Sequence, residues 1–196
     1  MGKGRLEAFS DGVIAILITI MVLELKVPHE PTLAALRDMS PIVCSYLLSF
    51  VFLGIYWNNH HHMLHVTPRV NGKILWANLH LLFWLSLIPF ATAWMGETRL
   101  APLPTSLYGI VLLLSGLAYL ILQGAIISEQ GADSVLKRAV ENDVKGRLSL
   151  AAYVAAAAVS FFIPWVACAI YVAVAIAWLV PDRRIETIAA GEHPRA

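Results

Sequence analysis

Residues 5–24 form a membrane-length apolar stretch that carries polar or ionisable groups near both of its ends. Arg5, Ser10 and Asp11 lie near its start, and Glu24 lies at its end. An ionisable side chain in hydrocarbon costs a few kcal/mol or more unless it is paired, hydrated or placed at the interface. The stretch therefore predicts a transmembrane helix whose polar residues have a specific role.

The composition of the whole chain agrees with a membrane location. Hydrophobic residues make up 59% of the chain and charged residues 14%, and the mean hydropathy is +0.71. A soluble domain with this composition would expose large apolar patches. We therefore predict an all-α, multi-pass protein of the cell (inner) membrane. Because helix 1 lacks a small-residue cleavage site, we expect it to remain in the mature protein.

Polar, proline and glycine residues divide the sequence into six apolar runs. Each run is near the roughly 20 residues that a helix needs to cross a bilayer. The runs cover residues 6–27, 41–64, 74–96, 105–128, 146–162 and 164–181. They predict one transmembrane domain, residues 1–196, with six transmembrane helices and no re-entrant P-loop. Pro89 lies inside the third run and is expected to kink that helix.

The basic residues predict the orientation of these helices, because short cytoplasmic loops accumulate Lys and Arg. Eleven of the fourteen Lys and Arg residues lie in the N-terminus, the second and fourth connections and the C-terminal tail. The other three, Lys26, Arg37 and Arg99, lie in the remaining connections. This distribution predicts that the N and C termini are both cytoplasmic.

The outer half of helix 1 carries a stripe of four residues at i, i+3, i+4 and i+7, which share one side of a helix. Its members are Ile16, Thr19, Ile20 and Leu23. At about 100° per residue, Asp11 lies about 130° from the centre of the stripe. If the stripe faces a shared axis, Asp11 and Ser10 must point into neighbouring helices, where they need hydrogen-bond donors.

Several candidate partners for Ser10 and Asp11 lie at the same predicted level of the membrane. They are Arg5, His60, His61, His62, Trp76 and Asn78. A cluster of this kind would satisfy buried polar groups and hold helix 1 at a fixed tilt. Direct ion binding by the same residues remains the alternative interpretation.

Helix 1 also carries a motif with the spacing Arg-x-x-x-Phe-Ser-Asp, and it is accompanied by characteristic residues in the second and third spans. The residues concerned are Arg5, Phe9, Ser10, Asp11, Ala15, Ile16, Thr19, Leu23, Glu24, Tyr56, Trp57, Asn59, His60, His61, Trp76, Asn78, Leu87, Pro89 and Phe90. Together they resemble the transmembrane protein 175 family, the potassium-permeable channels of lysosomes and bacteria. The six-helix length matches one repeat unit of that family, so the resemblance covers essentially the whole chain.

The resemblance implies a homotetramer in the lipid bilayer, with helix 1 lining a pore for potassium and other monovalent cations. It implies that Ile16, Ile20 and Leu23 form a hydrophobic constriction and that Thr19 forms a polar ring beside it. It also implies that the motif packs against other helices as a structural network. With the candidate partners above, this network comprises Arg5, Phe9, Ser10, Asp11, His60, His61, Trp76 and Asn78.

The physics of such a pore predicts modest selectivity. The sequence has neither the Thr-Val-Gly-Tyr-Gly carbonyl filter nor a ring of acidic residues at mid-membrane. Rings of Ile and Leu narrow a pore and resist wetting, so they act as a gate and as a sieve. Glu24 and the negative ends of four helix dipoles at the outer mouth would favour cations.

Two other classes of function compete with a passive potassium channel: proton transport, and an intramembrane enzyme or structural subunit. A proton-conducting channel or proton-coupled transporter would use Asp11 and the histidines, which titrate near neutral pH. An enzyme is not expected, because no nucleophile with a base, paired carboxylates or phosphate-binding glycine loop is present. His61 and His65 have the i, i+4 spacing of metal ligands, but no third ligand is evident. We therefore predict no metal site, no cofactor and no nucleic-acid partner.

Overall fold

The protein is described by a computed structural model that covers residues 2–131, 134–140 and 143–179. Within these residues the regular secondary structure is helical and contains no strand. The prediction of an all-α fold is confirmed. The end of the sixth predicted span, residues 180–181, and the basic residues of the C-terminal tail lie outside the described residues.

The first membrane-length helix changes character near its end. Helix α1 covers Lys3–Ile20 and continues as a 3₁₀ turn over Met21–Glu24. A short helix, α2, covers Leu33–Asp38 in a segment where the sequence predicted a loop, and its first turn is capped by the Thr32 hydroxyl. Helix α3 then covers Ser40–His65.

The third predicted span is divided into two helices. Helix α4 covers Gly72–Ser86 and helix α5 covers Ile88–Glu97, with Leu87 between them. Pro89 causes this break, because proline has no N–H to donate and its ring clashes with the carbonyl four residues earlier. The kink expected from Pro89 is thus present, and it lies two residues before the proline.

Four helices form the second half of the described chain. Helix α6 covers Pro102–Gln130, α7 covers Val135–Val140, α8 covers Val144–Val159 and α9 covers Pro164–Leu179. Proline at the first position of α6 and α9 suits a site whose N–H has no helical partner. Gly131 ends α6 with a φ of 80°, a conformation that glycine adopts without strain.

Four segments of the described chain are long and apolar enough to cross a membrane. They are Lys3–Glu24, Ser40–His65, Gly72–Glu97 and Pro102–Gln130. Helices α8 and α9 correspond to the fifth and sixth predicted spans, but each has 16 residues. At 1.5 Å per residue α8 is about 24 Å long, which is shorter than a typical hydrocarbon core of about 30 Å, and α9 is described only as far as Leu179.

Helix α6 is the scaffold against which much of the molecule packs, since it contacts α4, α5, α8 and α9. A chain of three buried hydroxyls joins it to α3 and α5. Tyr108 Oη lies 2.9 Å from Ser49 Oγ, which lies 2.6 Å from Thr92 Oγ1. Thr92 donates to the carbonyl of Ile88. Ser49 therefore donates to Thr92, and Tyr108 donates to Ser49. Helix α1 packs mainly against α3 and α4.

Helices α6 and α9 approach closely where Tyr171 lies against Gly109. The Tyr171 hydroxyl donates to the carbonyl of Thr105 at 3.1 Å, and its ring packs edge to face against Tyr108. A Cβ on Gly109 would lie 2.9 Å from Tyr171 Cζ. Gly109 is therefore required for this contact because it has no side chain.

Replacing Gly109 with alanine is expected to destabilise the fold by about 1–3 kcal/mol through overpacking. The matched control is Gly124→Ala on the same helix, where an added Cβ meets nothing within 4 Å. The control is expected to be neutral or slightly stabilising, because alanine has the higher helix propensity. Thermal unfolding of the purified variants in detergent measures both effects. Equal melting temperatures for the two variants would contradict the close contact.

Candidate functional site

The polar residues of α1 make a buried hydrogen-bonded chain that crosses three helices. Ser10 is completely buried, and its hydroxyl donates to the Leu6 carbonyl at 2.9 Å. Asn78 Nδ2 of α4 donates to Ser10 Oγ at 2.9 Å. Asn78 Oδ1 and His60 Nε2 of α3 are 2.7 Å apart, so His60 donates from Nε2. This chain fixes α1 against α3 and α4 at one level.

Asp11 has a different partner from the candidates that the sequence suggested. Its Oδ1 accepts a hydrogen bond from Trp57 Nε1 at 3.0 Å. Trp57 lies three residues before His60 on α3, so both side chains lie near the same side of that helix. This i, i+3 relation places Trp57 beside the network, but it does not single out Trp57 among the candidate donors.

Four residues assigned to the network lie outside this hydrogen-bonded group in the single protomer. Arg5 is exposed, Phe9 is 46% exposed and Trp76 is 75% exposed. His61 is also exposed, and its ring stacks on His65 with 6.2 Å between centroids. The structure therefore brings together Ser10, Asp11, His60 and Asn78, and it adds Trp57.

The side of α1 that bears the predicted stripe is not covered by the rest of the chain. Ile16 is 60% exposed, Ile20 is 45% exposed and Leu23 is 74% exposed. Thr19 is also exposed, and its hydroxyl donates within the helix to the carbonyls of Ala15 and Ile16, each at 3.0 Å. The buried positions of α1 and its 3₁₀ turn lie away from this stripe; they are Leu6, Ser10, Ile14, Leu17 and Met21. Helix α1 thus has one packed side and one uncovered apolar side.

An ion pair joins the end of the first span to the end of α5. Lys26 Nζ lies 3.0 Å from Glu97 Oε1. The pKa of Lys26 is raised mainly by its hydrogen bond to Glu97 and, to a smaller extent, by the negative charge of Glu97. A raised lysine pKa keeps the pair ionised at neutral pH, and its contribution is lost only as the pH rises through the raised pKa. Glu24 is exposed beside this pair and makes no ion pair within the part of the chain that the structure describes.

The histidines and cysteines do not form a metal centre among the described residues. No group of three His, Cys, Asp or Glu side chains there has the arrangement to hold a metal ion. The His61 and His65 pair therefore has no third ligand in residues 2–131, 134–140 and 143–179. Cys44 and Cys168 are free thiols.

Comparisons with known proteins agree with this arrangement of helices. A family model described as the endosomal/lysosomal potassium channel TMEM175 matches residues 5–89. A protein of Chryseobacterium sp. strain P1-3 named as a potassium channel is 54% identical over 186 residues, covering 95% of this chain and 97% of its own. A more distant relative from Danio rerio, named as an endosomal/lysosomal proton channel TMEM175, is 38% identical over 96 residues. That alignment covers 42% of this chain and 18% of the fish protein.

A solved structure shows the same fold over nearly the full length. It is the crystal structure of a lysosomal potassium-selective channel TMEM175 homolog from Chamaesiphon minutus, which is 27% identical in sequence. It superposes with a TM-score of 0.82 and covers 92% of this chain and 97% of its own. The resemblance that the residues of helix 1 indicated is confirmed, and with it the expectation of an ion channel and not an enzyme. The chain belongs to the TMEM175 family of potassium channels.

Proposed function

We propose that this chain forms a homotetrameric, potassium-permeable channel of the cell (inner) membrane, in which four copies of α1 surround the pore. This proposal rests on the difference between the packed side and the exposed side of α1. One side is packed through the Ser10 hydrogen bonds, and the other exposes Ile16, Ile20 and Leu23. The names of the bacterial relatives support potassium as the permeant ion.

The constriction is proposed to consist of rings of Ile16, Ile20 and Leu23. Hydrophobic rings at the narrowest part of a pore gate it by dewetting and leave no fixed ligands for a stripped ion. Thr19 forms a polar ring between them. Its hydroxyl hydrogen is engaged with the helix carbonyls, so the oxygen lone pairs are the part of the side chain offered to a passing cation. Selectivity for K⁺ over Na⁺ is then modest, and no re-entrant P-loop takes part.

Cation preference is proposed to arise at the outer mouth of the pore. Glu24 ends the first span, where the helix dipole also places partial negative charge. Lys26 lies only two residues away, but its ammonium is bonded to Glu97 of α5. The interaction of Lys26 with Glu97 is stronger than its interaction with Glu24. The four Glu24 carboxylates would therefore raise the local concentration of cations.

The membrane arrangement that we propose has six spans in one domain, with both termini cytoplasmic. Helices α8 and α9 are the fifth and sixth of these spans, after the four longer ones. Helix α8 is short for a bilayer, but it packs on α9, whose described residues are apolar throughout. A short span is accommodated by local thinning of the bilayer. The excess of basic residues near the N-terminus and in the connection before α8 supports the orientation.

The network around Ser10 and Asp11 is proposed to be structural. Ser10 and His60 are buried between helices on the packed side of α1, where they do not meet the uncovered stripe. Arg5, Phe9, His61 and Trp76 are exposed in the single protomer. We propose that these four residues complete the network by contacts between protomers.

Proton conduction is the second candidate function, supported by the hydrogen-bonded partners of Asp11 and His60 and by the name of the Danio rerio relative. The reversal potential in liposomes separates the two candidates. With gradients of K⁺, Na⁺ and H⁺ imposed in turn, a potassium channel gives a reversal potential that follows the K⁺ gradient. A reversal potential that follows only the pH gradient would overturn the proposed function.

Replacing Ile16 with asparagine is expected to wet the constriction, raising K⁺ conductance by about threefold or more and moving the K⁺ to Na⁺ permeability ratio towards one. The matched control is Ile176→Asn on α9, because Ile176 is 59% exposed and Ile16 is 60% exposed. Currents in planar bilayers measure both quantities. Ile16 does not line the pore if its variant keeps the permeability ratio of the parent protein.

Replacing Asn78 with alanine is expected to lower stability by about 1–3 kcal/mol, because Ser10 and His60 each lose a buried partner. Asn58→Ala is the control, since Asn58 is exposed on α3. Tetramer yield by size-exclusion chromatography and the melting temperature measure the effect. A fully stable Asn78→Ala tetramer with altered ion selectivity would contradict the structural role.

Replacing Asp11 with asparagine separates the potassium and proton candidates. Asparagine keeps an oxygen that accepts the Trp57 hydrogen bond but cannot titrate. We expect the K⁺ flux of the folded variant to remain within about twofold of the parent, because the partner of Asp11 is retained. Flux assays in liposomes test this. A flux that collapses in the folded variant favours the proton-coupled alternative.

A further inference from the structure

A cavity of about 70 Å³ lies between helices α3, α6, α8 and α9. That volume is several times the roughly 10–15 Å³ that one water molecule requires. No lining residue belongs to α1, so the cavity is separate from the proposed ion path. Its walls are largely aromatic, and the residues that matter below are Phe52, Tyr56, Asn59, Tyr119, Tyr153 and Trp178.

The lining contains two tyrosine hydroxyls without hydrogen-bond partners. Tyr153 is only 4% exposed, and no hydrogen bond joins its hydroxyl, or that of Tyr56, to another described residue. In the described chain the fully enclosed hydroxyls without a partner are those of Thr105 and Ser115, so the oxygens of Tyr153 and Tyr56 border open space. The two other buried tyrosines differ in this respect. Tyr108 is bonded to Ser49, and Tyr171 is bonded to the Thr105 carbonyl. The Tyr153 hydroxyl is therefore free to bond to a polar occupant of this space, as tyrosine hydroxyls in largely buried positions normally do.

The charges at the rim of the cavity argue for an uncharged occupant. Among the described residues of the lining, Asp143 is the one ionised residue, and its Oδ1 caps the N–H of Gly146 at 2.9 Å. Lys145 lies nearby, with its ammonium 4.5 Å from the centre of the Trp178 ring. The negative charge of Asp143 is offset by the positive charge of Lys145 and by the partial positive charge at the N-terminal end of α8. The described part of the rim therefore offers no uncompensated charge to an ionic ligand.

We propose that this cavity binds a small uncharged molecule that has one apolar ring and one hydroxyl or carbonyl oxygen. The oxygen accepts a hydrogen bond from Tyr153, and the ring packs against Phe52 and Trp178. Apolar pockets with a few converging polar groups are the usual form of small-molecule sites. Such a ligand bridges α3 and α8, so its binding stabilises the folded protein.

Titration with 2-phenylethanol tests this site in the full-length protein in detergent. We expect a concentration-dependent rise in melting temperature, and an apparent Kd about tenfold weaker or more in Tyr153→Phe. Tyr153→Phe removes only a hydroxyl that bonds to nothing in the described chain, so it is expected to fold. Tyr46→Phe is the matched control, since Tyr46 packs on Phe50 outside the cavity, and its Kd should equal that of the parent.

Two further measurements keep the test specific. Ethylbenzene, which has the ring without the hydroxyl, should stabilise the protein less than 2-phenylethanol. A photoreactive diazirine derivative of 2-phenylethanol should label peptides of α3 or α8, and Ile55→Phe, which fills the cavity, should abolish that labelling. Equal binding of ethylbenzene, an unchanged Kd in Tyr153→Phe, or labelling elsewhere would overturn the proposal. No stabilisation at all would show that water alone occupies the cavity, which also overturns it.

Discussion

The buried hydrogen bonds of Ser10 decide how the rest of the molecule is arranged. A hydroxyl in the middle of packed apolar helices requires partners, and Asn78 and His60 provide a continuous chain of them. These bonds determine which side of α1 faces α3 and α4. Because the two sides of a helix cannot be buried by the same neighbours, the opposite side, with Ile16 and Leu23, is left uncovered. Ser10 thus lies on the packed side of α1, and the apolar stripe lies on the uncovered side.

The remaining helices hold α1 in place from one side only. Helix α6 forms the scaffold, and the hydroxyls of Tyr108, Ser49 and Thr92 lock α3 and α5 onto it. The contact between Gly109 and Tyr171 then brings α9 against the same scaffold. Packing is concentrated away from the uncovered stripe, which leaves α1 available to other copies of the chain. This asymmetry fits a subunit whose functional surface is completed by assembly.

Much of this arrangement could be predicted from the sequence, because it depends on patterns within single helices. Apolar length and the position of Pro89 predicted the first three spans and the break in the third. Angular spacing predicted that Ser10 turns away from the stripe. Contacts that depend on the relative rotation of two helices were not predictable in this way. They include the choice of Trp57 over Arg5 as the partner of Asp11, the pair between Lys26 and Glu97, and the cavity beside Tyr153.

The direction in which α1 faces within the assembled protein is the most direct test of this interpretation. Electron cryomicroscopy of the purified protein in lipid nanodiscs with K⁺ would determine it. We expect four α1 helices around a central passage, with the side chains of Ile16, Ile20 and Leu23 directed into it. A map in which these side chains face lipid, or in which no passage runs between the protomers, would contradict it.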